Sequence, residues 1–301
     1  MVPAPAPSRS DSSALTTGAS PSPTLDISLI APAHNEAENI PALVRECGAA
    51  LAATGLTFEF IIVDDGSTDA TRAAIAALLP AHPWLRCVSM LHTPRGKGHG
   101  QSAAFHAGLR AARGRLIATI DADLQNDPAD LTPMLALLRE KSADVVQGDR
   151  SRARADGVVR KVGSWVGRTF RRRLLGDSVR DTGCSLRIMP RAAALRLPLE
   201  FRGMHRFIPV SLARMGCTVV EMPVRHRQRS AGVSKYGMGI LQRALPGLID
   251  LFAVRWMASR RRPVEAVELS AAHEPPPLVI EPAAANYARN NAPSFEGGIR
   301  A

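Results

Sequence analysis

Short, dense apolar runs alternate with longer stretches of helical period along the first half of this chain. "DISLIAPAH" (Asp26–His34) and "FEFIIVDDGS" (Phe58–Ser67) read as strands. "AENIPALVRECGAALAATG" predicts a helix that Gly55 can close, and "DATRAAIAALL" one capped by Thr68 or Asp69. The alternation continues through "LRCVSML", "GQSAAFHAGLRAARG", "RLIATIDAD", "PADLTPMLALLRE" and the buried strand "ADVVQGDR", which ends at Arg150. Apolar strands alternating with helices predict an α/β fold built on a mostly parallel sheet covered on both faces. Beyond Arg150 the pattern loosens into a basic helix around Arg160–Leu175, the apolar "CSLRIM", a helix near Phe207–Met215 and the strand-like "CTVVEMPV". Residues 1–24 and the tail 263–301, rich in Pro, Ser and Ala, have no apolar period and predict disorder. One domain over residues 25–239 and a basic amphipathic helix over 240–262 remain, and there is no internal repeat.

Composition narrows the classes. Hydrophobic residues make up 46% of 301, enough for a sizeable core, and the net charge of +11 predicts attraction to phosphates of nucleotides, nucleic acid or an anionic membrane. Cys47, Cys87, Cys184 and Cys217 are far apart with no CxxC pair, which argues for buried free thiols in a reducing compartment over zinc or disulfides. No secretory signal is present, and no window reaches the ~18 apolar residues of a spanning helix. The expectation is an intracellular protein that is not integral to a membrane.

Three predicted strands end in polar clusters: "APAHNE" (Ala31–Glu36), "VDDGSTD" (Val63–Asp69) and "DADLQ" (Asp121–Gln125). Ligands of an open parallel sheet gather at the carboxyl ends of its strands. A single cluster is explained by turn and cap chemistry, but three on one edge predict a site. An extended Asp121-Ala122-Asp123 would aim both carboxylates one way and Ala122 into the core, and Gln125 could add a neutral oxygen. Hard oxygen donors suit Mg2+ or Mn2+ bridging to a diphosphate. The first turn has no GxGxxG, which opposes a dinucleotide site. "RGKGHGQ" (Arg95–Gln101) does not fit GxxxxGK[ST], which opposes kinase or ATPase chemistry. That loop serves equally well as a plain turn or as a backbone approach to a diphosphate.

With these pieces in order, the chain resembles the family-2 inverting glycosyltransferases of the GT-A fold, and among them the polyprenyl-phosphate sugar transferases, the group of dolichyl-phosphate mannose synthase. The likeness runs from about Ile27 to Gly239 through "APAHNEAENI", "IIVDDGSTDAT", "GQSAAFHAGL", "DADLQNDPADL", "DTGCSLRIMPR" and "RHRQRSAGVSKYG". The resemblance implies a nucleotide-sugar donor (UDP- or GDP-linked), a divalent ion and a polyprenyl phosphate acceptor. It implies that Pro32, Asn35 and Glu36 hold the nucleoside, and that Asp64 and Asp65 meet base or ribose. It assigns Asp121, Asp123 and Gln125 to the metal, and Arg150 or Arg152 to the position of the family's basic residues. Arg229, Ser234 and Lys235 match a loop that closes on the diphosphate and the acceptor phosphate. His34 stands where the family often has Tyr. Many relatives continue into membrane helices and this chain does not, which leaves open how it meets the membrane.

Attack on the anomeric carbon by a phosphate monoester needs no strong general base, because that group's second pKa is near ~6. Asp181, in "RDTGCS", is a candidate for orienting the acceptor, or equally a cap or ion-pair partner of Arg180 or Arg187. Over Gly239–Arg262, Leu241, Leu245, Leu248, Ile249, Phe252 and Trp256 share one helical face, opposite Arg243 and Asp250, ahead of Arg260–Arg262. Around Arg160–Leu175, Val162, Val166, Phe170 and Leu174 are flanked by Arg168 and Arg171–Arg173. Such helices can lie among lipid headgroups or bury the stripe in a core. The implied lipid acceptor favours a cytoplasmic enzyme peripheral to the inner face of an anionic membrane. Nucleic-acid binding is disfavoured because the basic residues lack interleaved aromatics. A sugar nucleotidyltransferase would want a Gly-rich basic loop where "PAHNE" stands. The closer rival is a family-2 enzyme acting on a hydroxyl acceptor. "DADLQNDP" is more like the bacterial UDP-sugar branch than the mannose branch, and the donor sugar stays open.

Overall fold

The computed structural model describes residues 25–94, 96–151, 158–227 and 240–262, with 158–166 and 240–246 described by backbone alone. The expected disordered ends lie outside the described residues. The anticipated blocks fold in order as β1 (Leu25–Ala33), α1 (Ile40–Ala52), β2 (Phe58–Asp64), α2 (Thr71–Leu78), β3 (Leu85–Ser89), α3 (Gln101–Ala111), β4 (Gly114–Thr119), α4 (Leu131–Glu140), β5 (Val145–Asp149) and α5 (Val158–Leu175). Then come β6 (Arg187–Pro190), α6 (Arg191–Ala194), α7 (Ile208–Arg214), β7 (Val219–Pro223) and α8 (Ile240–Arg260). The capping position of α2 is Ala70 rather than Thr68 or Asp69, and Asp69, one residue earlier, accepts from Thr71 N–H at 2.9 Å.

The strands form a seven-stranded sheet in the order β3-β2-β1-β4-β6-β5-β7. All neighbours are parallel except β6, which runs antiparallel to both β4 and β5. From β1 the chain steps outward to β2 and β3, then returns across β1 to β4. That reversal opens a crevice beyond the carboxyl ends of β1 and β4.

The uniform apolarity of the strands has a direct cause. Ile27, Leu29 and Ala31 of β1 pack with Phe60 and Ile62 against Ile40, Leu43, Leu131 and Met134 of α1 and α4. Ile30, Ile61 and Val63 face the other way, toward Ala104, Phe105, Leu109, Ile208 and Leu212 of α3 and α7. With both faces covered, no position of these strands can be polar for solvent's sake. All four cysteines are free thiols.

Two further expectations are corrected. Asp121-Ala122-Asp123 is not extended: β4 ends at Thr119, where its ladder with β6 ends, and Ala122–Leu124 turn. Asp123 Oδ1 accepts from Gln125 N–H at 3.2 Å, and Leu124 takes a left-handed φ of 60°. The core alternative for the apolar stripe of α8 also fails. The helix docks on the core through Leu251 and Val254. Ile249, Phe252 and Trp256 are 61%, 58% and 63% exposed, and Leu248 is also exposed. Leu241 and Leu245 fall where only the backbone is described.

Candidate active site

A cleft of about 560 Å³ opens at the switch point. Its lining comes from β1 and the turn after it (Pro32, Ala33, His34, Glu36), from Asp65 after β2, from Gly96, Lys97, Gly100, Gln101 and Ala104 on the loop into α3, from Asp121–Asp123 after β4, and from the distant Arg202.

The acidic pair after β2 divides its labour. Asp64 takes Arg72 Nε at 3.0 Å and Nη2 at 2.7 Å, and Ser67 N–H at 3.1 Å. Burial pushes the Asp64 carboxyl up, but Ser67 and Arg72 outweigh it and hold the group below the usual range. Asp65 lines the cleft and accepts from His99 N–H at 2.8 Å and Gly100 N–H at 2.7 Å. The β3–α3 loop therefore folds onto Asp65. Gly98 allows this: its φ is +60°, and a Cβ there would meet Asp65 Oδ2 at 2.4 Å. The opposite corner is tied by Asn35 Oδ1, which accepts from Thr68 N–H at 2.7 Å, and by Glu36 Oε2, which accepts from Asn39 Nδ2 at 2.7 Å. His34 Nδ1 lies 2.7 Å from the Asp65 carbonyl oxygen.

Although the DxD is turned rather than extended, both of its aspartates line the cleft. Asp121 Oδ1 accepts from Gln101 Nε2 at 2.7 Å. Burial, and then the charge of Asp123, push the Asp121 carboxyl up to about 6. Arg150 and Arg187 oppose that shift from behind. Arg187 is fully buried on β6, donating to the carbonyls of His205 (3.0 Å) and Cys184.

Arg150 and Asp181 come together, away from the lining. Asp181 Oδ2 accepts from Arg150 Nε at 2.8 Å and from its N–H at 3.2 Å, and Oδ1 from Nη2 at 3.3 Å. Asp181 is thus hydrogen-bonded to Arg150, a residue the sequence did not offer as its partner, while its charge is also felt by Arg187. Gln125 is also off the lining, and its carbonyl accepts from Arg227 N–H at 2.8 Å. Arg152, Arg229, Ser234 and Lys235 lie outside the described residues.

Three lining residues escaped assignment. Lys97 and Gln101 belong to the Gly-rich loop whose role the sequence left open. Arg202 carries no sequence signal. It arrives through a 3-10 turn (Met204–Phe207) bound to the start of α3: Ser102 Oγ lies 2.8 Å from His205 Nδ1 and accepts from His205 N–H at 3.1 Å. Burial, with Arg206 and Arg187 nearby, pushes the His205 imidazole down to about 3, so it is neutral in this contact.

Asp121 and Asp123 fit a divalent cation, because the charge of Asp123 adds to burial in disfavouring the Asp121 carboxylate, a cost that positive charge between them would offset. Among the described residues no group of three His, Cys, Asp or Glu forms a cage. Such an ion would complete its shell with water and donor phosphates, as Mg2+ does.

A mostly parallel sheet with paired carboxylates in its switch-point cleft defines a GT-A-like transferase. Residues 28–197 match the model of glycosyl transferase family 2, and the chain belongs to that family: it is a glycosyltransferase. It is 38% identical over 248 residues to the dodecaprenyl-phosphate galacturonate synthase of Rhizobium johnstonii, covering 81% of this chain and 70% of that one. It is 32% identical over 212 residues to the undecaprenyl-phosphate 4-deoxy-4-formamido-L-arabinose transferase of Edwardsiella ictaluri, covering 70% of this chain and 63% of that relative. In fold it is similar to the glucosyl-3-phosphoglycerate synthase of Mycobacterium tuberculosis, solved with Mn2+, UDP and phosphoglyceric acid. That match has a TM-score of 0.56 and 22% identity over 77% of this chain and 78% of the other. A mannosyltransferase of Pyrobaculum calidifontis, solved with GDP-Man and Mn2+, gives a TM-score of 0.52 and 21% identity over 81% and 68%.

Proposed function

We propose that this protein transfers a hexose-derived sugar, with inversion, from a nucleotide-sugar donor to a polyprenyl phosphate, using Mg2+ or Mn2+ at Asp121 and Asp123. The observation that carries this reading is that Asp121 and Asp123 line one cleft of about 560 Å³ together with the loop-bound Asp65. The acceptor is supported by the two relatives, a dodecaprenyl-phosphate galacturonate synthase and an undecaprenyl-phosphate 4-deoxy-4-formamido-L-arabinose transferase.

In this reading Asp65, His34 and Glu36 receive the nucleoside, and Gln101 fixes the rotamer of Asp121. An acceptor phosphate oxygen forms the new bond to the anomeric carbon as the bond from that carbon to the diphosphate oxygen breaks, its electron pair leaving with the nucleoside diphosphate. A divalent ion would draw charge off that leaving group. The phosphate nucleophile is already ionised, so Asp181 can remain in its ion pair with Arg150. Arg229, Ser234 and Lys235 keep the roles the family resemblance gives them.

The acceptor resides in a bilayer, and no helix among the described residues is long and apolar enough to cross one. Peripheral contact through the exposed stripe of α8, beside Arg255 and Arg260–Arg262, fits this. Each basic residue near an anionic surface adds about 1 kcal/mol.

The test is a panel of UDP- and GDP-sugars incubated with undecaprenyl phosphate and Mn2+, read by extraction of labelled lipid. Formation of a labelled polyprenyl-phosphate sugar is expected with one donor. Elongation of a glycan hydroxyl with no labelled lipid would refute the acceptor.

A further inference from the structure

Phe201 and Arg202 are neighbours in sequence but belong to different surfaces. Arg202 lines the cleft that holds Asp121 and Asp123. Phe201 is 55% exposed, although the residues that follow it in the strap, Met204 and Phe207, are buried in the core. The strap is fixed at both sides. Toward the cleft, His205 is held by Ser102 of α3, next to Gln101, the residue that binds Asp121. Toward α8, Gly203 lies against Asp250, close enough that a Cβ at this left-handed position (φ +85°) would meet Asp250 Oδ2 at 2.5 Å. Asp250 in turn follows directly on Leu248 and Ile249, members of the exposed apolar stripe. The charges of Arg206 and Arg202 are both felt by the Asp250 carboxyl of α8.

One dipeptide thus puts an exposed aromatic ring next to a guanidinium at the cleft, one of two basic side chains in its otherwise acidic lining. A polyprenyl phosphate has the matching asymmetry: an isoprenoid chain that must stay in an apolar phase, and a doubly ionised head that must reach the anomeric carbon. We propose that Phe201–Arg202 is the entry point of the acceptor, with Arg202 binding its phosphate at the cleft mouth and Phe201 packing on the first isoprene units. This rests on the polyprenyl phosphate reading above and adds the residues that select that acceptor. Arg202 is a binding residue here; it takes no proton and leaves the donor to the opposite wall. A guanidinium gives phosphate two parallel N–H donors, which a lysine cannot reproduce.

The experiment measures steady-state transfer with the donor found in the panel, using undecaprenyl phosphate in detergent and, separately, the short farnesyl phosphate. For Arg202→Gln the acceptor KM should rise about tenfold or more with both lipids, the loss expected for charge-assisted hydrogen bonds, while donor KM stays put. Arg202→Lys should recover part of the loss. Phe201→Ser should raise KM for the long lipid more than for the short one. Arg202 is exposed, so its variants should fold, and matching thermal melts check this. An acceptor KM unchanged in Arg202→Gln overturns the proposal, as does a rise in donor KM instead, which would give Arg202 to the diphosphate. If the wild-type protein modifies no polyprenyl phosphate, the functional reading fails; if it does and Arg202→Gln matches it, only the entry point fails.

Discussion

Asp181→Ala should unfold this protein more readily than its distance from the cleft suggests. The carboxylate takes three hydrogen bonds from Arg150 and one from Gly183 N–H at 3.1 Å. Arg150 itself is 5% exposed. Truncating Asp181 leaves a guanidinium out of water with no carboxylate against it, and breaking a buried pair in this way costs about 3–5 kcal/mol. For a domain of this size, whose whole stability is about 5–15 kcal/mol, that is a large fraction. At about 2–4 °C of Tm per kcal/mol, the melting temperature should fall by roughly 6–20 °C. Urea denaturation read by circular dichroism gives the free energy directly. Arg150→Met in the Asp181→Ala background removes the stranded charge and should return most of the loss. Two outcomes would refute the clamp: a loss below about 1 kcal/mol for Asp181→Ala, the range of an exposed pair, or a double variant no more stable than the single one. Catalysis separates the roles further. If Asp181 orients the acceptor directly, the stable double variant will still be inactive at a temperature where it is fully folded. If it serves as the clamp, activity will return with stability.

Calorimetric titration of Mn2+ should show affinity falling as pH drops through about 6, by up to about tenfold per unit, because a proton on Asp121 must leave before metal binds. The folded apo-protein holds that proton more tightly than the unfolded chain, so this residue's contribution to apo stability changes the opposite way, improving as pH falls from about 6 toward the ordinary carboxylate value. Affinity constant between pH 7 and 5 would remove the paired-carboxylate account, and Asp123→Ala should abolish both Mn2+ binding and transfer. Phe252→Ser and Trp256→Ser should each weaken co-sedimentation with anionic vesicles at low salt, by about tenfold or more if a whole side chain leaves water; sedimentation equal to wild type would show that the stripe of α8 faces no bilayer.

What the sequence revealed depended on how local each cause was. β1 and β2 could be read because burial on both faces forces unbroken apolarity on "LIA" and "FIIV". The acidic cleft could be placed because strand ends of a parallel sheet converge. The conformation of Asp121-Ala122-Asp123 could not, because it depends on where the β6 ladder ends, and β6 lies more than sixty residues downstream. The same limit hid the pairing of Asp181: Arg180 and Arg187 are near it in sequence, whereas Arg150 reaches it only because β5 and the segment leading into β6 are brought side by side.

The division between Asp64 and Asp65 shows the remaining step from motif to site. As adjacent strand-end residues they were indistinguishable, and the family resemblance gave both to base or ribose. The structure separates them by neighbours. Asp64 meets a cation on α2, Arg72, the second residue of that helix. Among the described residues, the Asp65 carboxylate accepts from N–H groups of a loop that closes over it because Gly98 has no side chain. A carboxylate already neutralised by arginine gains little from a ribose hydroxyl, whereas one held by neutral donors at the cleft wall keeps acceptor capacity for it. In the proposed function the nucleoside contact therefore falls to Asp65, and Gly98 is what lets the loop close on that acid. Any side chain there would have to displace the carboxylate it covers.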